Sequence, residues 1–278
     1  MSALADEKLA ALPPVRHAVI DGRRIAYREA GAGPALLLLH GVGSGSGSWA
    51  AQLGSLSTQL RVIAWDAPGY GESDLLPGSA PSAADYAEAA LGLADALALE
   101  QFVLLGHSLG AIMAAALCVR HPDRVLRLIL SAPATGYGKA PAEEREARIG
   151  PRLTEMALLG PAGLAETRAR NLLAPNATQS AIAHVRAVMA QLRPDGYAQA
   201  CSLLGSADII EDARKIEVPT LVLCGNADAV TPTDGCRRIA AAIPGARFQT
   251  LPGVGHAAYI ENPPQYDIAL LHFLEEAA

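Results

Sequence analysis

The 278-residue chain has no surplus of basic residues: 22 Lys and Arg stand against 28 Asp and Glu, a formal charge of -6 at pH 7. Without a cationic excess there is no general attraction to phosphate backbones or anionic lipid surfaces, which argues against nucleic-acid and membrane-surface partners. Cysteine is scarce, and Cys118, Cys201, Cys224 and Cys236 show neither C-x-x-C nor Cys/His ligand spacing. A zinc site and a disulfide framework are therefore not indicated, and buried free thiols are expected. A membrane-length apolar run is also missing, because His107, Ser108, Gly106 and Gly110 interrupt the uncharged stretch Phe102 to Val119. Asp6, Glu7 and Lys8 stand where a secretory leader needs uninterrupted apolar residues, so a cytoplasmic protein is expected. Internal repeats, low-complexity tails and long linkers are lacking as well.

What is present suits a well-filled core: 51% of residues are hydrophobic and 18% charged. Short β-branched or leucine-rich runs alternate with longer helical patterns, the rhythm of a mostly parallel sheet flanked by helices. Arg16 to Ala30 differs, since Asp21-Gly22 between two extended runs signals a type I′ hairpin and an antiparallel pair at the sheet edge. Ala35 to Leu39 reads as a fully buried central strand. Arg61–Trp65, Phe102–Leu105, Val125–Leu130, Thr220–Cys224 and Arg247–Leu251 complete eight expected strands.

About 86 residues separate Ser131 from Val218, far more than one crossover helix needs. Ile182, Val185, Met189 and Leu192 follow helical spacing after Thr178 as an N-cap, and Pro161 and Pro194 sit where helices begin. Residues 133–217 thus read as a helical cap inserted into a core of residues 15–132 and 218–278. Helices over the carboxyl ends of parallel strands are placed to roof a ligand crevice.

The strongest chemical signal is Gly106-His107-Ser108-Leu109-Gly110, set between an expected strand and the small-residue helix Ala111 to Val119. A sharp strand-to-helix turn strains the serine backbone, and a side chain at either flanking glycine would collide with neighbouring backbone. The hydroxyl is then exposed at a helix amino end, where free N–H groups favour developing negative charge. Serine is a weak nucleophile at neutral pH, so this reading requires a base oriented by a carboxylate. Asp228 follows the strand Thr220–Cys224, and His256 follows the next strand, 28 residues later. Asp234 is the competing acid, and Asp228 could instead cap the helix that starts near Pro232. His107 is expected to point away from the serine along an extended chain, and His17, His121, His184 and His272 suit surface or packing roles.

His40 to Trp49 reads His-Gly-Val-Gly-Ser-Gly-Ser-Gly-Ser-Trp directly after the central strand. Neither G-x-G-x-x-G nor the lysine of a phosphate-binding loop is present, so a nucleotide site is not expected. The run is either a mobile Gly/Ser loop or the donor of an oxyanion N–H, with Val42 first and Gly43 second as donor beside Leu109.

These residues resemble the α/β hydrolase superfamily with a helical cap. The resemblance rests on His40-Gly41, the run Asp66-Ala67-Pro68-Gly69-Tyr70-Gly71-Glu72-Ser73-Asp74, Gly106 to Gly110, Gly225-Asn226-Ala227-Asp228 and Gly255-His256, in that order from about Val15 to Leu274. It implies Ser108 as nucleophile, His256 as base, Asp228 as its partner, an oxyanion hole at Val42 and Leu109, and no metal or organic cofactor. The stretch Gly196-Tyr197-Ala198-Gln199-Ala200-Cys201 before Asp208 is similar to 3-oxoadipate enol-lactonases, and the glycine-rich loop is similar to meta-cleavage-product hydrolases. Ser44 departs from the latter, which usually carry proline there, and a serine nucleophile argues against haloalkane dehalogenases and epoxide hydrolases; cofactor-free perhydrolases share the triad.

The expected activity is hydrolysis of a small-molecule ester, lactone or related carbonyl substrate through an acyl-enzyme. Carbon–carbon hydrolysis of a vinylogous diketone and ligand binding on a hydrolase scaffold are the alternatives. Gly43, Trp49, Arg152 and Met156 are the candidate pocket residues, Arg152 because one cap arginine among Arg145, Arg148, Arg152, Arg168 and Arg170 is expected to bind a substrate carboxylate. A solvated face paired with Glu143, Glu144 and Glu146 is the competing role for these arginines, and a homodimer is compatible with the chain.

Overall fold

A computed structural model describes residues 12–275; the charged start at Asp6, Glu7 and Lys8 lies outside the described residues. Strands β1 (Arg16–Ile20) and β2 (Arg23–Ala30) pair antiparallel. Between them Asp21 (φ 49°) and Gly22 (φ 76°) are both left-handed, as a type I′ turn requires. The chain continues through β3 (Ala35–Leu39), α1 (Ala50–Ser55), β4 (Arg61–Trp65), α2 (Ala83–Ala96), β5 (Phe102–His107), α3 (Leu109–Arg120) and β6 (Val125–Ser131). Four helices follow: α4 (Ala142–Arg168), α5 (Gln179–Met189), α6 (Pro194–Ser206) and α7 (Ile209–Ala213). Then come β7 (Thr220–Gly225), α8 (Thr233–Ala242), β8 (Arg247–Leu251), α9 (Ala258–Glu261) and α10 (Pro263–Glu275).

The single sheet has eight strands in the order β1-β2-β4-β3-β5-β6-β7-β8, parallel from β4 to β8, with the hairpin on the β4 side. All five residues of β3 are buried, which a strand achieves only with cover on both faces. One layer runs through α2, α3, α7 and α8, and another joins α1, α9 and α10. Strand order reverses at β3, whose neighbours are β4 and β5, so the loops after β3 and β5 diverge from one crevice.

The helices between β6 and β7 form the inserted cap. Thr178 accepts the Ala181 N–H at 3.2 Å as N-cap of α5, and Pro194 opens α6. Helix α4 breaks at Gly160 (φ 64°), and its second half starts at Pro161. Asp208 caps α7 through Ile210 N–H, and α7 packs on α3 and α8 beside the sheet rather than on the other cap helices. Among the described residues no helix is long and apolar enough to cross a membrane. The four cysteines are free and buried.

Candidate active site

The turn after β5 places Ser108 at φ 55° and ψ -115°, a left-handed conformation that a non-glycine residue adopts only under constraint. The constraint is visible: Ser108 N–H donates to Ser131 O at 3.0 Å, and Ser108 O accepts from Ala111 and Ala134 N–H at 3.1 Å. A Cβ at Gly106 would lie 2.3 Å from Gly110 O, and one at Gly110 would lie 2.2 Å from Leu39 O. Only glycine lets α3 approach β3 and β5 this closely.

Asp228 and His256 meet through loops after β7 and β8. His256 Nδ1 is 2.9 Å from Asp228 Oδ2, with both side chains buried. The second carboxylate oxygen accepts the N–H groups of Val230 (2.7 Å) and Thr231 (2.9 Å), while Thr231 Oγ1 is 2.7 Å from Oδ2 and 3.1 Å from His256 Nδ1. Burial alone would raise the Asp228 pKa, but the imidazole's charge and hydrogen bond, with the N–H and hydroxyl of Thr231, hold it below the ordinary carboxylate value. One carboxylate therefore ties its own loop and orients the ring. Asp234, by contrast, is exposed in the first turn of α8.

The Gly/Ser loop is anchored rather than loose. Asp66 accepts Ser46 N–H at 2.7 Å and Ser46 Oγ–H at 3.0 Å, His184 Nε2–H donates to Gly47 O at 3.0 Å, and Ser44 and Ser48 hydroxyls are 2.5 Å apart. His40 is buried, and burial holds its ring neutral; Nδ1–H donates to Gly41 O at 2.9 Å while Nε2 accepts Ala67 N–H at 3.0 Å. With the Gly41 carbonyl turned to His40, the Val42 N–H of the same peptide plane points the other way. Among the described residues neither the Val42 nor the Leu109 N–H donates to a protein acceptor. A Cβ on Gly41 would lie 2.9 Å from Ser108 Cβ, so this loop runs directly against the serine.

Ser108 and His256 open into one cavity of about 150 Å³ bordered by Val42, Gly43, Thr231 and, from the cap, Arg152, Arg168 and Tyr197. Among the described contacts the serine and imidazole share no hydrogen bond; such bonds commonly tighten only with substrate in place. No group of three or more His, Cys, Asp or Glu side chains among the described residues is arranged to hold a metal ion.

Residues 34–263 match the alpha/beta hydrolase fold family. The chain belongs to that family. It is 31% identical to a 2-hydroxymuconate semialdehyde hydrolase of a Pseudomonas strain, with 94% of each chain covered. The solved enol-lactonase of Burkholderia xenovorans superposes with TM-score 0.85 at 28% identity, over 94% of this chain and 100% of that one. A malate-bound esterase of Thermogutta terrifontis gives TM-score 0.84 at 26% identity, over 94% and 98%.

Within this alpha/beta hydrolase, two expected pocket residues do not border the cavity. Trp49 is fully buried one layer behind it, stacked on Tyr259 at 4.3 Å, and Tyr259 takes the lining place. Met156 is buried within the cap, whereas Met189 of α5 reaches the cavity. His107 also differs from expectation. It borders the cavity, its ring lies 4.7 Å from that of His256, and its Nε2–H donates to the His256 carbonyl at 3.0 Å. Glu261 accepts Gly255 N–H at 2.7 Å and Ala174 N–H at 2.9 Å, tying the His256 loop to the cap. Thr231 had one local signal, its place three residues after an aspartate in a turn-forming stretch. Tyr197 and Tyr259 had none, because their partners lie far off in sequence.

Burial, then the neighbouring His256, pushes the His107 pKa down to about 3. Below about pH 6.5 an unfolded His107 takes a proton that the folded protein refuses until about pH 3. Stability should therefore fall as pH drops through this window, by up to about 1.4 kcal/mol per pH unit from this group. Thermal melts of wild type and His107→Gln between pH 7 and 4 test it: the variant's Tm should decline less steeply, and parallel curves would refute the assignment.

Proposed function

We propose that the protein hydrolyses a small carboxylic ester or lactone through an acyl-enzyme intermediate. One observation carries this: a serine on a strained turn shares a small cavity with a buried Asp–His pair. Ser108 attacks the carbonyl carbon as His256 takes its proton, and the tetrahedral oxyanion is met by the N–H groups of Val42 and Leu109. His256 then protonates the leaving alkoxide, and after acyl transfer it activates water to release the acid and free Ser108. Asp228 holds the imidazole with Nδ1 protonated, leaving Nε2 for the serine. The volume of about 150 Å³ favours a small acyl or lactone portion, since a cavity of that size accepts a benzene-sized ligand. A cytoplasmic setting, a small-molecule partner, no metal or organic cofactor, and assembly as a homodimer complete this reading.

The second reading, carbon–carbon hydrolysis, is favoured by the 31% identity to a 2-hydroxymuconate semialdehyde hydrolase. A panel of short p-nitrophenyl esters, small lactones and a meta-cleavage dienolate separates the two. Turnover of esters or lactones supports acyl transfer from oxygen. Turnover confined to the dienolate, seen as loss of its visible absorbance, moves the assignment to carbon–carbon cleavage.

A further inference from the structure

We infer that the cap end of the cavity is a carboxylate subsite, so that the substrate is an acid-bearing ester or lactone held by Arg152 and the Tyr197 hydroxyl. This rests on the acyl-transfer reading and names the substrate class for it. The two cap arginines at the cavity are not equivalent. Arg168 Nε lies 2.6 Å from Glu155 Oε2, an ion pair that uses up its charge. Arg152 has no carboxylate within 4.0 Å among the described residues, and no Asp or Glu borders the cavity.

Two cations and one anion thus leave the cap wall with one uncompensated positive charge. Most of the remaining surface is apolar, with Leu164, Leu172, Val185, Met189, Leu204 and Ile260 around it. A charge facing an apolar cavity is costly unless a ligand balances it. The donors suit a carboxylate: a guanidinium offers a planar fork for two oxygens, and the buried Tyr197 hydroxyl is hydrogen-bonded to the Arg152 guanidinium at the same wall. Burial, chiefly, pushes the Tyr197 pKa up to about 12, so its hydroxyl stays protonated; it accepts from Arg152 and keeps a hydrogen, now turned to Cys201, that a ligand carboxylate would take. Arg145 and Arg148, exposed on the first turns of α4, lie away from this wall.

The matched probes are the monomethyl and dimethyl esters of succinate, glutarate and adipate, which differ only in whether one end is a carboxylate or its methyl ester. Binding is measured by titration calorimetry on Ser108→Ala, which removes turnover from the comparison. At the best chain length the half-ester should bind about 10- to 100-fold tighter than the diester. Adding Arg152→Met should erase that preference, Arg152→Lys should restore part of it, and Tyr197→Phe, which removes only a hydroxyl, should reduce it. Equal affinities, absence of half-ester binding at every length, or a preference that survives Arg152→Met in a variant of unchanged Tm would overturn the subsite. Hydrolysis of p-nitrophenyl acetate by the active protein reports separately on acyl transfer, so failure of one reading is distinguishable from failure of the other.

Discussion

Replacing Ser108 with alanine should lower kcat for a p-nitrophenyl ester by about 10⁴ to 10⁶, with ligand affinity largely kept. The size follows from the site acting as a unit. Without the hydroxyl, His256 has no proton to take, and water must attack directly with only the Val42 and Leu109 N–H groups assisting. The loss should be confined to chemistry because the elbow is held by backbone: Ser108 N–H and O make the 3.0 and 3.1 Å contacts to Ser131, Ala111 and Ala134, and alanine retains them all. Alanine also tolerates φ 55° no worse than serine does. Steady-state rates and Tm for both proteins check this, together with fluorophosphonate labelling, which should modify wild type at Ser108 and leave the variant untouched. A wild type that binds ligand without turnover or labelling would favour the ligand-binding scaffold instead, and a variant of comparable activity would remove Ser108 from the mechanism.

The sheet was readable from sequence because its signals are local. A run such as Ala35 to Leu39 states its own burial, Asp21-Gly22 states its own turn, and the two glycines around Ser108 state a close approach of three backbones. The Asp228 and His256 positions were readable for a related reason: each follows its strand directly, and parallel strands deliver such loops to one edge. The choice of wall residues was not readable, since it depends on which face each cap helix turns downward. Met156 and Met189 both lie on helical spacing, and only the packing of α4 against α5 and α6 decides that Met189 reaches the cavity. Trp49 sits in the loop beside the serine, yet its ring is covered by Tyr259, 210 positions away in a helix of four residues. The place of His107 was not readable either, because the chain leaves the extended conformation at Ser108 and alternation along β5 no longer fixes the relation of the two side chains. The cap arginines show the same limit in electrostatic form: helical spacing groups them on α4, but only the Glu155–Arg168 contact distinguishes a neutralised guanidinium from an available one.

Asp228→Asn should cost about 10⁴ in kcat while changing stability far less, because it reverses one hydrogen bond at the ring. Every contact to the carboxylate comes from a donor: Val230 and Thr231 N–H to Oδ1, and the Thr231 hydroxyl and His256 Nδ1–H to Oδ2. An asparagine has one acceptor atom and one donor group. The two loop N–H groups, 2.7 and 2.9 Å from Oδ1, select the carbonyl oxygen for their side and turn the NH2 toward the ring. His256 must then accept at Nδ1 and carry its proton at Nε2, the tautomer that cannot deprotonate Ser108. Thr231→Val is the milder companion, expected to cost about 10- to 100-fold, since it removes one hydroxyl from Oδ2 and leaves the carboxylate in place. The acid side of the pH profile separates the two effects. Asp228 sits below the ordinary carboxylate value, so its stabilising contribution is complete above the ordinary carboxylate range and is lost as pH falls from there through its own lower value. In Thr231→Val one support of that low value is gone, so the folded-state value moves toward the unfolded one, and Tm, lower than wild type's at neutral pH, should fall by less than wild type's as pH drops below the ordinary carboxylate value. Unchanged kcat in Asp228→Asn would transfer the orienting role to another group, and an acid decline in Tm as large as wild type's in Thr231→Val would leave its hydroxyl a bystander.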